Sequence, residues 1–280
     1  MTAVPEFTVI IPTHSHARLL SYAIHSVLIQ TVESFELVVI GDGVGDDTRD
    51  VVADLSRNNK QITFVDRPKS PRTGEPYRHE ELLRRGTPYV SYVSDDDLLL
   101  PDHLEHTREM LATHDLVHGF GLHVDAAGSL ILELVDLGQE WFRRRELKNT
   151  SYVSLTAMGH TMGAYRRLPY GWRTTPPGKF TDHYMFQQFL SDPACRVSTL
   201  RRPTALKFPF IQRRTWTDDQ REQEIATWAS RLSGVHGRKT LRNEVMQLLH
   251  HQAISLEISR GKGLWYLRNH LAALRRWMQR

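Results

Sequence analysis

Four short apolar runs, each leading into a helical or turn pattern, fill the first 110 residues and narrow the fold more than any other feature. The runs span residues 7–11, 35–40, 61–65 and 89–93. Between the first two, residues 17–30 place Leu20, Ile24, Val27 and Leu28 on one helical face. After the second, Gly41-Asp42-Gly43-Val44-Gly45 turns the chain, and Asp46 or Asp47 is expected to cap the next helix. A loop over 67–76 precedes a helix ending near Arg85. Strand–helix alternation of this kind implies an α/β fold, a mostly parallel sheet covered on both faces. Pro12 is expected to stop the first strand.

The pattern then changes. Residues 116–124 and 130–135, joined by Asp125-Ala126-Ala127-Gly128, read as a hairpin, and residues 160–166 as a further strand. A loop rich in Pro, Gly and Trp covers 168–179, and Thr181 is the expected N-cap of a helix over 182–190. From about residue 218 the chain reads as helices only. One α/β domain over 1–215, with halves 1–110 and 111–215, and a helical C-terminal extension over 216–280 are expected. A chain of 280 residues with 40% hydrophobic and 24% charged content can bury one large core or two modest ones. The lone cysteine, Cys195, excludes an internal disulfide and suits a reducing compartment. Residues 1–7 lack the pattern of a signal peptide, and no apolar run approaches the ~20 residues of a membrane span. A cytoplasmic location is expected.

Asp95-Asp96-Asp97 close the fourth apolar run and precede Leu98-Leu99-Leu100-Pro101. Carboxylates at a strand's C-terminal end lie where open α/β sheets bind ligands. Like charges this close repel, and Mg²⁺ or Mn²⁺ relieves them, the metal often being shared with substrate phosphates. A metal-dependent enzyme acting on a phosphorylated or nucleotide-linked compound follows. The competing reading is local: Asp97 as turn chemistry, and Asp102 with Glu105 as a capping box for a helix through about Ala112. The glycine turn at 41–45 does not match G-x-G-x-x-G, which argues against nicotinamide dinucleotide binding.

Charge is divided unevenly. Residues 1–140 hold 11 Lys/Arg against 23 Asp/Glu, whereas residues 141–280 hold 25 against 9. Either the basic half meets something anionic, such as a phosphate-bearing substrate or an acidic membrane surface, or the two halves attract each other.

In order, Phe7-Thr-Val-Ile-Ile-Pro-Thr-His14, Phe35-Glu-Leu-Val-Val-Ile-Gly-Asp-Gly43 with Asp46-Asp47-Thr48, and Tyr89 through Pro101 resemble family-2 glycosyltransferases of the GT-A fold. The resemblance covers roughly the first 110 residues and is loose thereafter. It implies an inverting enzyme with a nucleotide-sugar donor (UDP-, dTDP- or GDP-linked) and Mg²⁺ or Mn²⁺. It also implies that Pro12, Thr13 and His14 cradle the base, with His14 in the stacking place, and that Asp42 bonds base or ribose, with Gly41 where many members carry another aspartate. The family's Asp-x-Asp motif, counted back from Pro101, falls on Ser94 and Asp96. Asp96 is then the leading metal ligand, with Asp95 on ribose or metal and Asp97 in support; alternatively Asp95 and Asp97 form the pair. The family's catalytic carboxylate, which opens a helix in the second half, falls on Asp182. The acceptor is expected to be a saccharide or a lipid-linked compound, with no nucleic acid as partner.

Rival readings are a nucleotidyltransferase, which would release pyrophosphate, and a catalytically silent domain that binds glycans or nucleotides. Gln212-Arg-Arg-Thr-Trp216 comes near the Gln-x-x-Arg-Trp motif of processive relatives, with Thr215 in the arginine place, so Trp216 or its neighbouring arginines are candidates to close over donor phosphates. Most of the fifteen histidines read as surface or core residues, since none falls at the spacing of a closed zinc site. The last helix carries Leu264, Leu267, Leu271, Leu274 and Met278 in a stripe beside Arg268 and Arg275, which suits an anionic membrane, the chain's own domain or a homo-oligomer contact.

Overall fold

The computed structural model describes residues 4–148 and 153–259. In chain order its elements are β1 (Phe7–Thr13), α1 (Ala17–Leu28), β2 (Phe35–Asp42), α2 (Asp46–Asn58), β3 (Ile62–Arg67), α3 (Glu75–Arg84), β4 (Tyr89–Tyr92) and β5 (Leu98–Leu99). There follow α4 (His103–Leu111), β6 (Leu116–Gly119), β7 (Gly121–Val124), β8 (Leu130–Glu133), α5 (Glu140–Glu146), β9 (Met158–Thr161) and α6 (Met162–Tyr165). The chain continues through α7 (Thr181–Ser191), β10 (Val197–Leu200), β11 (Ala205–Leu206), α8 (Asp218–Ser233) and α9 (Val235–Ser259).

Seven strands form one sheet in the order β10-β6-β9-β4-β1-β2-β3. Its pairs are parallel except for the two that β9 makes with β4 and β6. Strands β2 and β3 are laid to one side of β1 and β4 to the other, so the winding reverses between β1 and β4. A crevice opens at the carboxyl ends of such a strand pair. It is this reversal that positions the site.

Period-two alternation sends the apolar side chains to both faces. Val9 and Ile11 of β1 pack with Leu20, Ile24 and Val27 of α1, while Ile10 joins Leu82, Tyr92, Phe186 and Phe189 on the opposite face. Each such side chain, fully buried, contributes about 1.5–3 kcal/mol. A third core joins Ile225, Trp228 and Leu232 of α8, and Leu241 and Val245 of α9, to Leu19 of α1 and to Leu122, Val124 and Leu132 of β7 and β8. The C-terminal helices are therefore packed onto the sheet domain. Arg196–Asp115, Arg201–Asp136, Arg221–Asp96 and Arg242–Asp102 each join the basic half of the chain to the acidic half. Part of the uneven charge thus pairs with itself. Among the described residues no helix is long and apolar enough to cross a membrane.

Several sequence expectations are corrected. β1 runs past Pro12, which lies opposite Ile40 in the parallel register. The segment 116–124 is not one hairpin arm. It breaks at Phe120, whose N–H turns to the carbonyls of Leu200 and Arg202, so that β6 joins the main sheet and only β7 pairs with β8. Residues 160–166 are a strand end followed by a helical turn, because the Thr161 hydroxyl accepts the Ala164 N–H at 3.1 Å and starts α6. Thr181 is the first residue of α7, and Phe180 holds the cap position. Gly45, not an aspartate, caps α2, since Asp47 bonds its neighbour Thr48 instead. Asp102 and Glu105 form no capping box: Asp102 accepts from Arg242 and Glu105 from Thr31. The stripe over 264–278 lies outside the described residues.

Candidate active site

A cleft of about 340 Å³ opens at the carboxyl ends of β1, β2 and β4. On the β1 side, Pro12, Thr13, exposed His14, Ser15 and His16 line it before α1 begins. The end of β2 supplies Asp42, which accepts from Lys69 Nζ at 2.6 Å, Ser70 N at 2.5 Å and Ser70 Oγ at 2.9 Å. Burial alone would push the Asp42 carboxyl up, but these donors outweigh it and hold the group below the ordinary carboxylate range. Two glycines make the arrangement possible. Gly43 has φ +69°, and a Cβ there would lie 2.8 Å from the Lys69 Cα; Gly74, at φ +78°, lies against Asp42 and starts α3.

The three aspartates point in different directions. A turn closed by Asp97 N–H donating to the Ser94 carbonyl follows β4. Asp95 Oδ1 bonds His16 Nδ1 at 2.9 Å, which raises the imidazole above its ordinary value against the opposing effect of burial. Asp96 Oδ2 accepts from Arg221 of α8 at 3.0 Å. Burial first, then the Asp97 and Asp95 charges, push the Asp96 carboxyl up to about 7, even with His16 and Arg221 opposing. Asp97 turns inward, where its oxygens accept from Thr156 Oγ1 at 2.5 Å and Phe208 N at 3.0 Å, and burial raises it as well.

One ring nitrogen of His16 and one oxygen each of Asp95 and Asp96 lie within 4.8 Å of one another. This set fits a divalent cation: two hard oxygens, one imidazole, and an acidic cluster under repulsion that a cation would relieve.

Across the cleft, Asp182 stands in the first turn of α7, with Oδ2 accepting the Leu155 N–H at 2.9 Å. Burial raises its carboxyl, against the pull of nearby Arg78. Arg78, buried in α3, lies 4.6 Å over the Trp172 ring and donates to the Thr73 carbonyl at 2.5 Å. Its Nε and Nη1 meet no partner among the described residues.

Pro12, Thr13, His14, Asp42, Asp95, Asp96 and Asp182, far apart in sequence, therefore line one cleft. Asp97 does not line it and is not part of the cation-competent set. Sequence reasoning missed His16, Lys69, Ser70, Arg78 and Arg221. His16 had a local signal, two residues past His14 and just ahead of the α1 pattern, whereas Arg221 lies 125 positions from its partner. Of the arginines near Trp216, Arg213 is engaged elsewhere. Arg213 is buried and forks onto Glu224 at 2.5 and 2.6 Å, holding the β7–β8 turn through the Val124 carbonyl. The buried histidines are structural: His103, pushed down to about 3 by burial, bonds the Ser91 and Thr204 hydroxyls.

Residues 8–170 match the family described as Glycosyl transferase family 2. The GalNAc(5)-diNAcBac-PP-undecaprenol beta-1,3-glucosyltransferase of Campylobacter jejuni is 25% identical over 164 residues, covering 58% of this chain and 52% of its own length. Glycosyltransferase GlyA of Streptococcus pneumoniae is 25% identical over 53% of this chain and 23% of its own. The chain thus spans about half the length of the first relative and less of the second. Among solved structures, S. aureus TarS 1-349 in complex with UDP-GlcNAc superposes with a TM-score of 0.56 at 16% identity, over 73% of this chain and 58% of that one. Mannosyltransferase PcManGT from Pyrobaculum calidifontis, in complex with GDP-Man and Mn2+, gives 0.53 at 14%, over 94% and 88%. The matched span covers more than half of the 280 residues and contains the strands that build the cleft, and on that ground the chain belongs to glycosyl transferase family 2, with the GT-A fold.

Proposed function

We propose that this cleft transfers a sugar from a nucleoside diphosphate donor to an acceptor hydroxyl with inversion at the anomeric carbon. The observation that carries the reading is the meeting of the His16–Asp95–Asp96 set with Asp182 across a single cleft. Residues 12–14 and Asp42 bind the nucleoside, with Lys69 holding Asp42 ionised. Arg78 offers its two unmet N–H groups to the donor. His16, Asp95 and Asp96 hold Mn²⁺ or Mg²⁺, which when bound neutralises charge on the departing diphosphate.

Asp182 is the general base. Leu155 N–H fixes one carboxylate oxygen, leaving the other to take the acceptor proton. Its raised affinity for a proton makes it a stronger base than an exposed aspartate. The acceptor oxygen attacks the anomeric carbon on the face opposite the diphosphate, the bond to diphosphate breaks, and the proton passes to Asp182. Asp97 is assigned to scaffolding rather than to the metal.

Two solved neighbours carry UDP- and GDP-linked sugars, which supports these, beside dTDP-sugars, as candidate donors. The Campylobacter relative is named for a polyprenyl-diphosphate-linked substrate, which supports a lipid-linked acceptor and a peripheral position at an anionic membrane for this chain. Nucleotide sugars are assayed for release of nucleoside diphosphate with Mn²⁺, with Mg²⁺ and with EDTA. Asp182→Asn is expected to lower kcat by about 10²–10⁴ with little change in donor KM. Release of pyrophosphate instead of nucleoside diphosphate, or full activity of Asp182→Asn, overturns the reading.

A further inference from the structure

Arg221 reaches the cation-competent set from the C-terminal helices. It closes the first turn of α8, is 7% exposed, and donates from Nη2 to Asp96 Oδ2 at 3.0 Å. Its guanidinium is 5.4 Å from the Phe210 ring centre, and its Nε has no partner among the described residues. The start of α8 is fixed by the Thr217–Gln220 capping box. It is also tied to the neighbourhood of His16, because Arg18, two residues beyond it, bonds Asp219 and lies 3.5 Å from Glu222.

A guanidinium and a divalent cation thus claim the same carboxylate. Both are positive, and the pair lies where solvent screens little, with Arg221 and Asp96 side chains 7% and 15% exposed. Sharing Asp96 would place like charges side by side in a poorly hydrated crevice. The helix holds Arg221 there without any ligand.

We infer that Arg221 is a built-in counter-cation of the metal site: it holds Asp96 while the divalent cation is absent and is displaced from Asp96 when the cation binds. Metal loading and the docking of the α8 N-terminus then oppose each other. This rests on the metal assignment made under the proposed function. A merely structural ion pair predicts the reverse, since losing Arg221 would disorder Asp96 and weaken the metal.

The test uses the full chain and Mn²⁺ alone, without nucleotide, titrated with free Mn²⁺ read by electron paramagnetic resonance. A buffer near pH 8.5 keeps carboxyls ionised. Arg221→Gln is expected to tighten Mn²⁺ about tenfold, a common size for coupling between sites. Arg221→Lys, which keeps the charge, should stay near the wild-type affinity. By reciprocity, Mn²⁺ should speed amide hydrogen exchange in the first turns of α8 in the wild type and leave it unchanged in Arg221→Gln. Arg18→Ala, on the surface, loosens the same turn without touching the site and should tighten Mn²⁺ about two- to threefold. It tests the inference even if Arg221→Gln does not fold. Unchanged or weaker Mn²⁺ binding in folded Arg221→Gln, with normal binding by the wild type, overturns the counter-cation alone. Absence of Mn²⁺ binding in every chain overturns the metal assignment and the inference with it.

Discussion

With no divalent cation bound, Asp96 should make the folded chain less stable as the pH rises. The folded carboxyl titrates at about 7, while an unfolded aspartate titrates near 3.9. A raised folded value means that the native state holds the proton more tightly than the unfolded state does. The stability linked to that proton is complete below about pH 4 and is lost as the pH climbs through 7. The separation is about 3 units, and at ~1.4 kcal/mol per unit the loss is about 4 kcal/mol by pH 8. Asp96→Asn keeps the shape and an acceptor oxygen for Arg221 but does not titrate. It should therefore gain about 4 kcal/mol on the wild type between pH 4 and pH 8. Urea unfolding in EDTA, followed by circular dichroism at about pH 4.5, 6, 7 and 8, measures the difference directly. Saturating Mn²⁺ should restore the wild type at high pH, because a ligand that binds only the native state stabilises it. A difference between the two chains that is flat across pH, or that widens toward acid, refutes the reasoning.

Asp97→Ala leaves the Phe208 N–H without its acceptor and the Thr156 hydroxyl with only its 3.2 Å contact to Ser94 Oγ, which should cost about 1–3 kcal/mol for the orphaned N–H and less for the hydroxyl. Calorimetry should show that loss while Mn²⁺ affinity shifts less than tenfold, in contrast to Asp96→Ala. Trp172→Ala removes a side chain only 1% exposed, together with its bond to the Tyr92 hydroxyl at 3.0 Å and its face under Arg78. It should cost about 3–5 kcal/mol in denaturant unfolding and raise donor KM, because Arg78 loses its support.

Much of this fold was legible because the first half obeys a simple rule: apolar runs become strands, and amphipathic stretches between them become helices. Val9, Ile10 and Ile11 needed no tertiary information to be placed in a sheet. The break at Phe120 did, since an apolar run looks the same whether it stays in one sheet or leaves it for another. Here the carbonyls of Leu200 and Arg202, about 80 positions downstream, take the Phe120 N–H and decide the matter. The same limit applies within the site. Asp95, Asp96 and Asp97 are chemically identical in sequence, and a turn closed onto Ser94 separates two that face the cleft from one that faces Thr156. Asp42 and Asp182 were legible through the resemblance. Arg221 was not, because nothing in a run of α8 residues marks which one will meet a strand end.

The uneven division of charge acquires its meaning only through burial. Arg196–Asp115, Arg201–Asp136 and Arg242–Asp102 each involve an arginine at least 63% exposed. Such pairs contribute about 0–1 kcal/mol and weaken with salt. They can tie the halves together but cannot set chemistry. Arg221–Asp96 joins the same two halves at 7% and 15% exposure, beside two further aspartates. There each charge is felt by its neighbours, so removing or replacing one partner changes what the others can bind. An acidic N-terminal half and a basic C-terminal half need not imply a nucleic acid or a membrane. At Arg221–Asp96, whose aspartate lines the cleft, the division puts a cation-hungry cluster and a protein-borne cation in competition for the same oxygen.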